Sequence, residues 1–178
     1  PILEEMRRCL AEIGVLDELE LKGMSEATIQ QLLHHLIGRQ AGIEPLVKNL
    51  FWATGGNPFF LIEVLREIIE ADRLKEILCQ TGQIPLPGTV REAILTRLRK
   101  LSPIARQVLE SGAILGLSFD LDLIRLTAGR GHAEIIDALD ELVAKVLLVE
   151  EGANYHFIHE LTCRAVQKDL SQVRWQLL

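Results

Sequence analysis

Residues 133–157 read AEIIDALDELVAKVLLVEEGANYHF, and within this stretch the spacing of the apolar residues changes. Up to Lys145 the apolar residues recur at the spacing of one helix face. From Val146 onward, two short apolar runs flank a turn at Gly152-Ala153-Asn154. The stretch therefore predicts an amphipathic helix followed by a β-hairpin. The apolar helix face holds Ile135, Ile136, Leu139, Leu142 and Val143.

Helix-start signals lie on both sides of this stretch. Thr89 and Glu92 have the spacing of a capping box, and Ser102-Pro103 offers a capping hydroxyl followed by a proline suited to the first helical position. Asp120 is expected to cap a short third helix, and the apolar pattern predicts a last helix over about 158–170. Helices in this order, with a hairpin before the last one, are typical of a winged helix-turn-helix domain.

The preceding part of the chain is also predicted to be mostly helical. Residues 2–13 have an amphipathic helix spacing, Ser25 can cap a second helix, and a third is expected over about 44–53. Leu19 and Leu21 alternate with charged residues, which is a weak strand signal.

Residues 54–58, TGGNP, are the sharpest local feature of this part. The two glycines allow the chain to reverse, Asn57 can cap a helix, and Pro58 fits the first helical position, where its missing N–H is not needed. The helix that follows is expected to run from Phe59 to about Cys79 and is apolar on more than one face, so it should be surrounded by other elements.

Turn-forming residues are concentrated at residues 81–88, TGQIPLPG, which predicts a boundary between two subdomains. The expected fold is mainly α. A helical subdomain spans residues 1–82, and a winged helix-turn-helix domain with a small β-hairpin spans residues 86–178.

The composition is that of a globular protein. Of 178 residues, 48% are hydrophobic and 25% are charged, which is too apolar for disorder. No run reaches the roughly 18 apolar residues of a membrane helix, and charged residues occupy the start of the chain where a signal peptide would be apolar. Cys9, Cys79 and Cys163 lie far apart, which suits a reducing compartment. We therefore expect a cytoplasmic protein without membrane contact.

The charge pattern weighs against direct DNA contact. The formal net charge is −6, and residues from Leu101 onward include seven Lys or Arg against eleven Asp or Glu. The helix in the recognition position has one base, Lys145, and four acids, which a phosphate backbone would repel. The acids are Glu134, Asp137, Asp140 and Glu141.

Motifs for catalysis and metal binding are absent from the sequence. There is no Gly-x-x-x-x-Gly-Lys-Ser/Thr loop to cradle a phosphate and no Gly-x-Ser-x-Gly nucleophile elbow. His156, His159 and Glu160 form His-x-x-His-Glu, whose order differs from the known zinc motifs. We expect neither catalytic residues nor a metal site in this chain.

His159 has two interpretations from its position alone. It falls where the hairpin meets the last helix, and free backbone N–H groups at a helix start favour an anion. It can equally be a structural histidine that bonds a neighbouring carbonyl.

Residues 54–65, TGGNPFFLIEVL, resemble the STAND class of P-loop ATPases, the signal-transducing relatives of AAA+ proteins. The similarity is closest to the bacterial branch attached to LuxR-type or activator-type transcriptional regulators and to nucleotide cyclases. It continues through residues 86–90, LPGTV, through 101–106, LSPIAR, and through 157–161, FIHEL. Residues 22–25, KGMS, resemble the start of the family's helical lid.

The resemblance implies a regulatory role. In that family an ATPase core with the phosphate loop is followed by a helical lid and a winged helix, which together close over bound nucleotide. This chain resembles the lid and the winged helix, so we expect it to be part of a longer protein whose upstream P-loop core is its partner. ATP or ADP would be the cofactor of the intact parent, and the chain alone is expected to bind either nucleotide very weakly.

The resemblance also implies site residues. Gly56, Asn57 and Pro58 match the family's Gly-x-Pro motif, whose proline packs on the adenine side of the nucleotide. Ile158-His159-Glu160 resembles the Met-His-Asp motif, whose histidine contacts a phosphate of bound ADP and holds the inactive state. Glu160 is present where aspartate is usual, and Ile158 where methionine is usual.

Two other functions fit parts of the sequence. A helical protein–protein interaction module would expose large apolar faces, which could also pair the chain with itself. A winged-helix DNA-binding factor would need an electropositive face and would bind duplex DNA in a salt-dependent manner.

Overall fold

A computed structural model describes residues 2–15, 21–38, 42–72 and 83–171. Helices and strands are numbered in chain order over these residues. The first part of the chain contains four helices: α1 (Ile2–Glu12), α2 (Glu26–Ile37), α3 (Glu44–Thr54) and α4 (Pro58–Glu70).

The second part combines helices with a small sheet. Its helices are α5 (Gly88–Leu98), α6 (Pro103–Leu115), α7 (Leu121–Ala128), α8 (His132–Ala144) and α9 (Glu160–Asp169). Its strands are β1 (Ser118–Asp120), β2 (Leu148–Glu151) and β3 (Asn154–Phe157). The chain is thus mainly helical, as predicted from the sequence.

The three strands form one antiparallel sheet in the order β1-β3-β2. Phe119 lies opposite Tyr155 across the β1–β3 ladder, and Glu150 lies opposite Tyr155 across the β2–β3 ladder. The hairpin of β2 and β3 was predicted, whereas β1 was not, because a three-residue strand of sequence SFD carries too short an alternation to be recognised.

Most of the predicted helix starts are confirmed. The side chains of Ser25, Ser102 and Asp120 each accept a backbone N–H of the first turn, at 3.2, 3.1 and 2.7 Å respectively. These bonds satisfy donors that a helix start would otherwise leave without a partner.

The capping box predicted at Thr89 is wrong. Helix α5 already begins at Gly88, and Pro87 at the N-cap makes no side-chain capping bond. The Thr89 hydroxyl instead donates to Glu63 Oε2 on α4 at 2.6 Å. A side-chain bond between the two parts of the chain has therefore replaced a local one.

Two further predictions depart from the structure. Leu21 lies in irregular backbone rather than in a strand, and Leu19 lies outside the described residues. Helix α4 ends at Glu70, where Ala71 takes the C-cap position, well before the predicted end near Cys79. Cys79 and most of the predicted boundary region lie outside the described residues.

Buried apolar side chains from both parts of the chain form one core. Helix α9 packs against α3 and α5, and α4 also contacts α5, so the last helix joins the two parts. Among the largest side chains of this core that are fully buried are Ile29, Leu50, Leu61, Ile94, Leu109 and Ile135. This packing fixes the N-terminus of α9 beside the C-terminus of α3.

Over the described residues, no helix has both the length and the apolar character that crossing a bilayer requires.

Candidate functional site

The turn between α3 and α4 is built as the sequence predicts. Gly55 ends α3 in the left-handed region, with φ 58° and ψ 26°, and its N–H donates to the carbonyl of Phe51. Asn57 caps α4, and its Oδ1 accepts from the backbone N–H of Phe59 at 3.0 Å. Pro58 occupies the first position of α4 and is exposed. A reversal of this kind presents Pro58 at the surface of the molecule.

The segment before α2 packs directly on this turn. Met24 N–H donates to the carbonyl of Gly56 at 2.8 Å, and a Cβ added at Gly23 would lie 2.7 Å from the carbonyl oxygen of Gly55. A Cβ added at Gly56 would collide with the backbone of Met24. Glycine is therefore required here for close approach of two backbones.

His159 lies against the same turn although it is about a hundred residues away in the sequence. It is the N-cap of α9, and its imidazole faces Gly55 so closely that a Cβ on Gly55 would overlap Nδ1. The ring also meets Phe60 edge to face, with centroids 5.5 Å apart. The structure thus brings His159 together with the turn that contains Gly56, Asn57 and Pro58.

The Nδ1 atom of His159 is buried, and no described residue gives it a hydrogen-bond partner. A buried polar atom in this situation costs free energy unless a ligand, a water molecule or another chain completes it. The backbone carbonyl of the adjoining Ile158 nevertheless lies close enough to this imidazole to affect its pKa.

Burial lowers the pKa of His159, because a desolvated imidazolium is disfavoured. The nearby carbonyl of Ile158 works in the opposite direction, and the positive charge of Arg97 lowers the pKa further. The ring is therefore neutral at physiological pH and can present either a donor or an acceptor nitrogen.

This depressed pKa predicts how stability depends on pH. His159 is neutral in both the folded and the unfolded chain well above its ordinary pKa of 6.5. Below that value the unfolded chain takes up a proton that the folded chain resists, so the free energy of unfolding is expected to fall as the pH decreases. Urea denaturation at a series of pH values from about 8 to 5 measures this. His159→Gln should flatten that part of the profile, and identical slopes for the two proteins would contradict the expectation.

The other histidines and cysteines singled out in the sequence lie elsewhere or are occupied. His156, on β3, has Nε2 3.6 Å from Glu151 Oε2. Cys163 Sγ points to the carbonyls of Ala113 and Gly116, and burial, assisted by the charge of Glu160, raises its pKa to about 12. Within the described ranges, no three His, Cys, Asp or Glu side chains form a group that could hold a metal ion.

A cleft of about 450 Å³ lies close to this site. Helix α3 contributes Asn49 and Trp52 to its lining, and the segment before α5 contributes Gln83 and Ile84. The remaining lining residues are Leu117, which precedes β1, His156 and Phe157 on β3, and Glu160 at the start of α9. Trp52 lies on its rim with 71% of its surface exposed.

Sequence reasoning missed several members of this region. Arg97 carries no motif, and Phe60 lies within the TGGNPFFLIEVL stretch but was given no role of its own. The proximity of both residues to His159 arises only from the packing of α4, α5 and α9. Trp52 could have been recognised, since a tryptophan one turn before a glycine-rich turn falls near the end of its helix.

Comparison with models of known protein families gave no match, and comparisons with characterised proteins and with solved structures gave none either. Function must therefore be argued from the residues and from their geometry.

Proposed function

We propose that this chain is the lid and winged-helix segment of a nucleotide-switched signalling ATPase of the STAND class, within a transcriptional regulator. The observation that carries the proposal is the packing of His159 on the turn at Gly55, with Pro58 exposed beside it. Two motifs that resemble nucleotide-contacting motifs of that class, and that lie far apart in the sequence, are neighbours in space.

The second part of the chain is proposed to be a winged helix. Helices α5 and α6, strand β1, helices α7 and α8, and the β2–β3 hairpin follow each other in the order expected of that domain, and β1 pairs with the hairpin through β3. The hairpin is the wing, and α8 takes the position of the recognition helix.

The acidic side chains of helix α8 support a regulatory role for the winged helix rather than recognition of DNA. Asp137 and Asp140 are exposed on it. Hydrogen bonds from the Ser102 side chain and from the Ser102 backbone N–H, the latter at 3.0 Å, lower the pKa of Glu141, so the carboxylate stays charged. A helix with these acids at its surface repels phosphate groups. The expected output is a movement of the domain rather than contact with a DNA groove.

The proposed ligand of this site bears a phosphate group. The exposed Pro58 offers an apolar contact for a base. The Nδ1 of His159, which has no hydrogen-bond partner among the described residues, is buried behind the turn and would reach a phosphate only when the turn at Gly55 moves away from it. ADP or ATP would supply the phosphate charge, while the cradle that binds most of that charge would come from the P-loop core. The lid and the winged helix would then move relative to that core between the two nucleotide states.

His159→Ala in the protein that includes the ATPase core tests the proposal. Loss of the imidazole is expected to weaken ADP retention about tenfold, equal to about 1.4 kcal/mol, and to raise basal activity. ADP release rates and ADP affinity by calorimetry are the measurements. His132→Ala, on the exposed start of α8, is the matched control and should leave both unchanged.

Two results would overturn the proposal. One is unchanged ADP affinity in the His159→Ala protein, provided that its unfolding curve shows it to be folded. The other is the absence of a phosphate loop from the coding sequence upstream of Pro1, since the proposed site needs that loop.

A further inference from the structure

Helix α8 ends in a turn of a kind that favours glycine. The backbone N–H groups of Val146 and Leu147 donate to the carbonyls of Val143 and Leu142, at 2.9 and 3.0 Å respectively, and these are the two bonds of a Schellman motif. The central residue of that motif adopts the left-handed conformation and is usually glycine. Here it is Val146, with φ 57°. A β-branched residue in the left-handed region is strained.

Contacts from two other elements hold the Val146 turn, residues 145–147, in its strained form. Arg97, near the end of α5, donates through Nη2 to the carbonyl of Lys145 at 2.9 Å. The N–H of Ile158 donates to the carbonyl of Leu147 at 3.2 Å, and the side chain of Leu147 is buried. Strained backbone persists only where the surrounding structure determines it, and these contacts come from outside α8.

The same contacts extend to His159. Ile158 is the residue before His159, so its bond to Leu147 positions the backbone that enters α9. Arg97 lies close enough to the imidazole for its positive charge to lower the pKa of His159. The Val146 turn, Arg97 and the N-terminal end of α9 therefore form one contiguous set of contacts.

We propose that the Val146 turn is a two-state element that couples the β2–β3 hairpin to the start of α9. In the strained state, which this structure shows, Arg97 and Ile158 hold the turn. In the relaxed state, Val146 leaves the left-handed region and the two backbone hydrogen bonds of Leu147 break, so the hairpin and the start of α9 lose their attachment to the end of α8. The inference goes beyond the proposed function, because it concerns this chain alone and its test needs neither nucleotide nor ATPase core.

Amide hydrogen exchange followed by NMR measures the relaxed state in this chain. Arg97→Met removes the guanidinium and keeps an unbranched side chain. The amides of Leu147 and Ile158 are then expected to exchange about fivefold faster, as the loss of one hydrogen bond allows. The amide of Thr162, which donates to the carbonyl of His159, should also exchange faster because the start of α9 is looser. The slowest amides of α6 report global unfolding and should accelerate less.

Arg99→Met is the matched control for this experiment. Arg99 is the C-cap of α5, and its guanidinium lies 3.3 Å from Glu92 of the same helix in an exposed ion pair. Exchange at Leu147 and Thr162 should equal that of the wild type in this variant. Unchanged exchange at Leu147 in Arg97→Met would overturn the inference. Faster exchange at Leu147 without faster exchange at Thr162 would overturn the coupling to α9.

Val146→Gly tests whether the turn is strained. Glycine adopts the left-handed region freely, so the folding equilibrium constant measured by urea denaturation should rise about threefold to tenfold. Val149→Gly is the matched control, because Val149 is also partly exposed but lies on β2, where glycine weakens a strand and should lower stability. A Val146→Gly protein no more stable than the wild type would show that the turn stores no strain and would overturn the inference.

The two substitutions together separate strain from the simple loss of a hydrogen bond. With glycine at position 146 the turn keeps its left-handed form without being held, so Arg97→Met should accelerate exchange at Leu147 less than about twofold in that background. An acceleration equal to that in the wild-type background would mean that Arg97 does not act by holding a strained residue. That result would overturn the two-state element even if both single variants behaved as expected.

Discussion

Gly55→Ala is expected to destabilise the folded chain by about 2–4 kcal/mol. The added Cβ would overlap the imidazole of His159 and lie 3.2 Å from the carbonyl oxygen of Ile158. Both neighbours belong to the N-terminal end of α9, which the buried core holds in place, so the site cannot open without loosening the contact between the two parts of the chain. The midpoint of urea denaturation measures the loss.

Gly129→Ala separates this collision from backbone strain. Gly129 has φ 61° and ψ 33°, nearly the conformation of Gly55, but a Cβ there meets nothing within 4 Å. Gly129→Ala should therefore lower the free energy of unfolding only by the strain of a left-handed alanine, about 1–2 kcal/mol. If the two variants lose the same stability, His159 does not lie against Gly55.

A double variant tests the same contact in another way. His159→Ala removes the ring that the new methyl group would strike, so Gly55→Ala should cost much less in that background than in the wild type. The difference between the two costs is the coupling between the turn and α9. Additive effects would mean that the two residues are independent.

Gly112→Ala is expected to destabilise the protein, whereas a glycine-to-alanine substitution inside a helix usually stabilises it. Inside a helix, alanine normally stabilises by about 1 kcal/mol relative to glycine. Gly112 lies within α6, and its Cβ would come 2.5 Å from Cε1 and 2.7 Å from Cζ of Phe119. Phe119 is buried and also packs on Tyr155 and Phe157, so its ring has little room to move. A net loss of about 1–3 kcal/mol is expected.

Two control substitutions test whether Phe119 causes the loss of stability expected for Gly112→Ala. Gly88→Ala, at the start of α5, meets nothing within 4 Å and should leave stability unchanged or raise it. Phe119→Leu should make room for the methyl group, so that Gly112→Ala costs less in that background. Thermal unfolding followed by circular dichroism compares the wild type, the three single variants and the Gly112→Ala/Phe119→Leu double variant. A higher midpoint for Gly112→Ala than for the wild type would show that Phe119 yields easily.

Local signals in the sequence were enough for most helix starts and for the hairpin. Ser25, Asn57, Ser102 and Asp120 cap helices where their chemistry predicts it, because a cap depends only on the side chain and the next three residues. The change of apolar spacing near Val146 likewise predicted the hairpin.

Signals that depend on distant partners were misjudged or missed. Thr89 has the local chemistry of a cap, yet Glu63 on α4 binds its hydroxyl. Strand β1 exists because β3 supplies its hydrogen bonds, and three residues show no usable alternation by themselves.

By itself, the sequence determined the mainly helical class, the glycine turn before Pro58 and the acidic surface of α8, since each follows from the chemistry of neighbouring residues. Only the tertiary structure decided that His159 lies on Gly55, with its Nδ1 buried and without a hydrogen-bond partner in the part of the chain that is described. That contact depends on how α9 packs against α3 and α5, and the burial of many side chains together, rather than any local propensity, sets this packing.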